Sequence, residues 1–277
     1  METVIGLGQA GCMIADEFAK YPQYFIKKID VGLPKTKTTF PIKEYEKLED
    51  YEEKLPTLQH FFRGVRGDIL FVVAGGGKIS SASLSVLKYL KNKCNISVLY
   101  IQPELSLLND VQQKLEKLVY NVFQQYARSG LFERLYLVSN EQCDSILGGS
   151  PIKDYNNNIN HMITSTIHMI NIYKNNQAVA DTFCQLPVGA RISTIGMKNI
   201  EKNEDMVYFN LDSVSDMVYY YAYNKSKLES DSNIMNNIKN NITVNKKSGI
   251  RTTYGIYETD YEEDYVYCLS HTSIIQK

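Results

Sequence analysis

Asp68-Ile69-Leu70-Phe71-Val72-Val73-Ala74-Gly75-Gly76-Gly77-Lys78-Ile79-Ser80-Ser81 is the stretch on which the fold turns. A nearly continuous apolar run is what a parallel strand covered on both faces requires. Here it passes directly into three glycines and a segment, Ser80 to Lys91, that reads as a helix. Successive glycine amides can form a nest around an anion, and the following helix adds unpaired N–H groups and the positive end of its dipole. Gly75, Gly76 and Gly77 supply the amides, the Ser80 or Ser81 hydroxyl further donors, and Lys78 a positive charge. A purely structural turn hardly needs all three glycines.

The amino terminus repeats the pattern. Thr3 to Leu7 reads as a buried strand, followed by Gly8-Gln9-Ala10-Gly11 and a helix with Met13, Ile14 and Phe18 on one face. Gly6, Gly8 and Gly11 spell G-x-G-x-x-G, and Asp30 ends the next strand, Tyr24 to Asp30, about where a dinucleotide enzyme places its ribose-binding acid. Alone, this motif reads as a nicotinamide site. Its physics is more general, because glycines let a backbone approach any phosphate closely at a helix amino terminus. Two such turns suggest a triphosphate straddled by two loops.

Farther out, Pro34 to Pro56 reads as loops with at most a short helix, and Asn95 to Ile101 as a strand. Leu108, Val111, Leu115, Leu118, Val122 and Tyr126 mark one face of a helix that Gly130 can end, and Leu135 to Ser139 supplies another strand. Alternating strands and helices predict an α/β, Rossmann-like parallel sheet with helices on both sides. Lys153 to Asn175 predicts a long central helix with Ile159, Met162, Ile163, Thr166, Ile167, Ile170 and Tyr173 on one side. Beyond it, Arg191 to Met197 reads as a strand, Ser213 to Ile242 as helical with a tyrosine-rich start, and Arg251 to Ser273 as a hairpin, together a smaller α+β domain. The expected division is 1–152 for the nucleotide-binding domain, 153–176 for the central helix and 177–277 for the carboxy-terminal domain.

Composition excludes several classes. With 277 residues, 44% hydrophobic and 22% charged, the chain can bury a sizeable core. A net charge of -1 offers no global attraction for nucleic acid or anionic membrane. Its five cysteines are widely spaced and form no C-x-x-C pair, which fits neither a disulfide framework nor zinc, and points to a reducing cytoplasm. No signal-like or membrane-spanning stretch is evident, so export and membrane insertion are not expected. The four histidines lack ligand partners at metal spacing, and the acidic stretch Glu258 to Asp264 reads as a solvated tip. Tyr219, Tyr220, Tyr221 and Tyr223 read as core aromatics.

Motif details then point to a family. The run Gly8-Gln9-Ala10-Gly11-Cys12-Met13-Ile14 through Phe18 resembles the G-Q-C-G-x-x-I-x-x-x-F opening of tubulins, whose glutamine lies near the nucleotide-bound magnesium. Ala74 to Ser81 resembles a degenerate copy of the G-G-G-T-G-S-G signature that tubulins share with FtsZ, with Lys78 and Ile79 replacing the threonine and the next glycine. Ile159-Asn160-His161-Met162-Ile163 is similar to the tubulin segment whose asparagine reads the guanine edge. Tyr155 is then the stacking ring, in competition with Asn156, which lies at the family's spacing. Asn140, after a strand, is similar to a nucleotide-contacting asparagine of both families.

The resemblance implies a GTP- or GDP-binding protein with Mg2+ near Gln9 and a nucleotide held by Gly8, Gln9, Gly11, Cys12, Gly75, Gly76, Gly77, Lys78, Ser80, Asn140, Tyr155 and Asn160. It implies head-to-tail self-assembly, with hydrolysis completed by acids from the neighbouring subunit. Asn176 to Asp181 resembles the FtsZ N-x-D-x-x-D loop with its first aspartate replaced by Ala178, which leaves Asp181 as the single catalytic acid and hydrolysis weak. The alternatives are a hydrolysis-deficient scaffold, motivated by Ala178, Lys78 and Ile79, and a NAD(P)-dependent oxidoreductase, motivated by Gly6, Gly8, Gly11 and Asp30. An adaptor protein stays open as a second partner, and no direct nucleic-acid contact is expected.

Overall fold

The computed structural model describes residues 2–277, and the chain divides into two compact units between Thr164 and Ser165. In the first unit the elements run β1 (Glu2–Leu7), α1 (Gly8–Phe18), β2 (Tyr24–Val31), β3 (Thr39–Ile42), α2 (Leu48–Glu53), β4 (Gly67–Ala74), α3 (Ser83–Leu87), β5 (Cys94–Gln102), α4 (Asp110–Arg128), β6 (Arg134–Ser139) and α5 (Asn140–Leu147). Its strands lie in the order β3-β2-β1-β4-β5-β6, and every pairing is parallel. Val4, Ile5 and Leu7 of β1 and Ile69 to Val73 of β4 are all but sealed from water, as continuous apolar runs in a doubly covered sheet should be.

Three expectations are corrected in this unit. Thr39–Ile42 is a strand, not loop. It contains Pro41, which lacks an N–H and is tolerated because β3 is the outermost strand on its side. The segment after the triple glycine is a 3₁₀ turn, Lys78–Ala82, and the short helix α3, where a single helix to Lys91 was expected. On α4 the buried face is Leu115, Val119, Tyr120, Phe123 and Ala127, while Val111 and Leu118 are 66% and 62% exposed. Bulk decides this: Tyr120 and Phe123 lie against Tyr100, and Phe123 against Phe132, which rotates the helix away from the aliphatic stripe.

Helix α6 (Tyr155–Asn175) buries Ile159, Ile163, Ile167, Ile170 and Tyr173, and the division between the units falls within it. The second unit continues with β7 (Ala180–Asp181), β8 (Ile192–Asn199), β9 (Glu204–Val207), β10 (Asp216–Asn224), α7 (Lys225–Ser230), α8 (Ile234–Lys247), β11 (Arg251–Thr259) and β12 (Tyr265–Thr272). Its strands run β9-β8-β12-β10-β11-β7, with only β10 and β11 parallel.

Two further expectations fail here. The tyrosine-rich segment is strand β10, not the start of a helix, because a run of aromatic and β-branched residues suits a pleated surface buried on both sides. Tyr219, Tyr221 and Tyr223 pack with Ile234 and Ile238 of α8, while Tyr220 turns to the other face beside Tyr173 and Tyr257. Strands β11 and β12 do not pair as a hairpin, since β10 lies between them, parallel to one and antiparallel to the other. Among the described residues no helix is long and apolar enough to cross a membrane.

Candidate functional site

In the first unit, chain order runs outward in both directions from the β1/β4 boundary. That reversal is a topological switch point, where open parallel sheets leave a crevice beyond the strands' carboxyl ends. Both glycine turns open there. Leu7 is registered with Val73, so Gly8 and the Gly75 turn leave neighbouring strands side by side. A Cβ on Gly8 would lie 2.7 Å from Ile79 Cγ2, so the second turn leans directly over the first. Gly8 and Gly76 hold φ of 73° and 77°, a left-handed conformation that any side chain would strain. No side chain caps α1, which leaves its first amides available to an anion.

The other glycines of the first motif do a different job. A Cβ on Gly11 would fall 2.4 Å from Val72 O, and one on Gly6 would fall 2.3 Å from Gly11 O. These residues seat α1 against β4 and β1. Gln9 is exposed at the head of α1. The Cys12 thiol is buried, 3.6 Å from Gly6 O and 3.8 Å from Ile29 O. Burial, then the charge of Asp30, push it up to about 12, so it stays protonated. Any contact of Cys12 with a ligand on the turn would come from its backbone.

The second turn is narrower than its three glycines suggest. Gly75 N–H donates to Ile101 O at 3.0 Å, leaving Gly76 and Gly77 to present amides. Ser80 Oγ donates to Gly77 O at 2.6 Å. Ser81 Oγ lies 2.7 Å from Lys78 O and 3.0 Å from Leu48 O, so both hydroxyls are directed at main-chain carbonyls. Lys78 is exposed and lines, with Glu46, Gly76, Gly77, Asp110 and Gln112, a cleft of about 660 Å³.

Of the other predicted residues, strand register brings Asn140 to the same sheet edge. Ala74 is registered with Ile101 and Gln102 with Ser139, which places Asn140, at the start of α5, on that edge. Tyr155 opens α6, half-buried. Its phenol is raised above its ordinary value by burial and by the charges of Asp144 and Glu104, which follow β6 and β5. Asn160 lies farther along α6, half-buried, beside His161, whose Nδ1 is 3.6 Å from Glu17 of α1. Asp181 belongs to the second unit, where it is exposed on β7 and its Oδ1 accepts from Phe183 N–H at 3.2 Å. Asp30 accepts from Val31 N–H at 2.8 Å, and burial raises its carboxyl. Sequence reading passed over Ile79 as a roof to Gly8, and the pair Tyr100 and Glu116 beneath Gly75; neither carries a local motif.

The strand order with two glycine turns at its switch point, followed by a long helix and a second α/β unit, is the fold of tubulin and FtsZ. Structural comparison states it directly: the chain has the tubulin/FtsZ fold. It is similar to a GTPγS-form protofilament of Bacillus thuringiensis serovar israelensis TubZ, with a TM-score of 0.77 at 16% identity over 98% of this chain and 86% of that one. It is similar to FtsZ of M. jannaschii, with a TM-score of 0.69 at 10% identity over 98% of this chain and 88% of that one. It is also similar to GDP-bound CetZ1 of Haloferax volcanii, with a TM-score of 0.68 at 15% identity over 99% of this chain and 94% of that one. No protein-family model and no curated protein sequence matches the chain.

Proposed function

We propose that this chain binds GTP and GDP across its two glycine turns and joins copies of itself head to tail, in the cytoplasm, with the nucleotide at each subunit junction. The observation that carries the reading is Ile79 resting on Gly8 at the switch point, which supports the two glycine turns acting on one ligand. Fold neighbours solved as GTPγS-form and GDP-form protofilaments and as a two-stranded TubZ filament support the assembly.

In this reading the α1 amides and those of Gly76 and Gly77 bind the phosphates, and Lys78 adds charge in place of a hydroxyl donor. Tyr155 stacks on the base, and Asn140 and Asn160 read its polar edge. Gly11, Gly75 and Ser80 shape the turns that present these groups. Among the described residues no cluster of three metal-ligating side chains exists. Mg2+ would therefore ride on the phosphates with the exposed Gln9 amide beside it, where it would neutralise phosphate charge. Asp181 supplies the one acid that polarises water on the neighbouring subunit's nucleotide, so turnover is slow.

Purified protein should sediment as polymer with GTP and Mg2+, and not without nucleotide. GTP binding with no polymer at high protein concentration would sink the filament reading. Phosphate release should fall on Asp181→Ala; equal background rates in both proteins would favour the static scaffold, for which the Asp181 bond to Phe183 N–H speaks. Gly76→Ala, strained by its φ of 77°, should weaken GTP binding by about tenfold, the equivalent of roughly 1–2 kcal/mol. The order β3-β2-β1-β4-β5-β6 is also that of dinucleotide folds, so calorimetry with NADH against GTP is the matching control. Micromolar NADH binding without a GTP signal would reverse the assignment.

A further inference from the structure

A buried carboxyl lies under the second glycine turn. Glu116 of α4 is 4% exposed, and a Cβ on Gly75 would fall 2.8 Å from its Cγ and 2.1 Å from Tyr100 Oη. Glu116 Oε1 accepts from the Tyr100 hydroxyl at 3.1 Å and from Gln102 Nε2 at 3.4 Å. The Gly75 amide is held by Ile101 O, between those two donors on β5. Strand β5 and helix α4 thus clamp Gly75 through main chain and side chain together, and the next two glycines carry the phosphate-facing amides.

The groups facing Glu116 are the Tyr100 phenol and Gln102 amide from β5 and, on α4, Tyr120, whose ring lies 5.7 Å from that of Tyr100. All are neutral. Lys78, Glu46 and Asp110 line the adjoining cleft. An anion settling on Gly76 and Gly77 therefore meets a carboxyl that no buried cation balances, across a water-poor interior where like charges repel strongly.

We propose that Glu116 positions the phosphate-facing turn and takes up a proton when an anion docks on Gly76 and Gly77. The inference rests on the nucleotide reading above and adds a proton to it. Burial already holds this carboxyl above its ordinary range, against the opposing bonds from Tyr100 and Gln102, and a docked anion lifts it further. Docking is then tightest at pH below the free-state value, weakens as pH rises toward the bound-state value, and levels off above it.

The test is calorimetric titration of the full chain with GTP and with inorganic tripolyphosphate, in two buffers of different ionisation enthalpy, for wild type and Glu116→Gln. Wild type should take up more protons than the variant, by a difference approaching one per site; the ligand's own protons cancel in that difference. The ratio of wild-type to Glu116→Gln affinity should fall by up to about tenfold per pH unit through the window, the ligand's own titration cancelling in that ratio. Tyr100→Phe removes a bond that favours the carboxylate and should move the fall to higher pH, and it carries the test if Glu116→Gln does not fold. Binding with equal proton counts, or an unshifted profile in Tyr100→Phe, overturns this inference alone. Absence of binding in every protein overturns it together with the nucleotide reading.

Discussion

Gly11→Ala should destabilise the chain by about 3 kcal/mol, the upper end of what overpacking costs. The added Cβ would sit 2.4 Å from Val72 O and 3.2 Å from its carbonyl carbon. Those are backbone atoms of β4, which is hydrogen-bonded to β1 on one side and β5 on the other, so the strand cannot yield. Helix α1 must lift instead, and with it Ile14, Ala15 and Phe18, all 0% exposed. Gly77→Ala is the control. Its φ is -84°, and a Cβ there meets no atom within 4 Å, so its stability should stay within about 0.5 kcal/mol of wild type. Urea unfolding at unchanged m separates the two. Wild-type stability in Gly11→Ala would mean that α1 is not seated on β4 as described.

The contrast between those glycines shows what the sequence could and could not convey. Burial on both faces leaves a local trace, the unbroken apolar run, so β1 and β4 and their glycine turns were legible directly. The division of labour within each turn was not. Gly75 and Gly77 look alike in sequence, yet one amide is taken by Ile101, a residue on the next strand, and the other is open. Gly6 and Gly11 read as a cofactor fingerprint, although their contacts are helix seating that any fold with α1 crossing β1 and β4 demands. The bond from Ser80 to Gly77 O depends on the 3₁₀ turn that forms there, which no local pattern announces.

The misread elements of the fold share a cause: partners distant in sequence outweigh local pattern. The helical spacing through Ser213 to Ile242 was real only for α7 and α8; β10 became a strand because β11 and β12 flank it. For the same reason β11 and β12, though consecutive, were not a hairpin. The aliphatic stripe of α4 lost to Tyr120 and Phe123, whose aromatic partners come from β5 and the loop before β6. Pro41 concealed β3, since a proline argues against a strand unless the strand is an edge.

The asparagine-rich helix α8 supplies the other large effect. Lys198 of β8, with 6% of its side chain exposed, is 3.1 Å from Asp205 Oδ1 of β9, and its Nζ also donates to Asn203 O and Asn241 Oδ1 at 3.2 Å and 3.3 Å. Asp205 Oδ2 accepts from the Tyr219 hydroxyl at 2.6 Å, and Asn245 Nδ2 donates to Tyr219 Oη at 3.1 Å. Asn241 Nδ2 donates to Tyr221 Oη at 2.9 Å. The compositional bias therefore hides two asparagines that fasten α8 to β10. Burial, then the Asp205 charge and hydrogen bond, keep the Tyr219 phenol protonated, so the Tyr219 donor persists at any working pH.

Asp205→Ala should lower stability by about 3 kcal/mol, because it removes the counter-charge of a buried ammonium and the acceptor of the Tyr219 hydroxyl proton together. The estimate sits at the low end for buried pairs since Asp205 keeps 26% of its side chain in water. Lys198→Met, which removes the charge and keeps the stem, should cost less, and the double variant should recover part of the Asp205→Ala loss, a coupling that a double-mutant cycle in urea reads directly. Additive losses would mean that Lys198 swings its ammonium out to solvent when Asp205 is removed, and that the network fastening α8 is not cooperative.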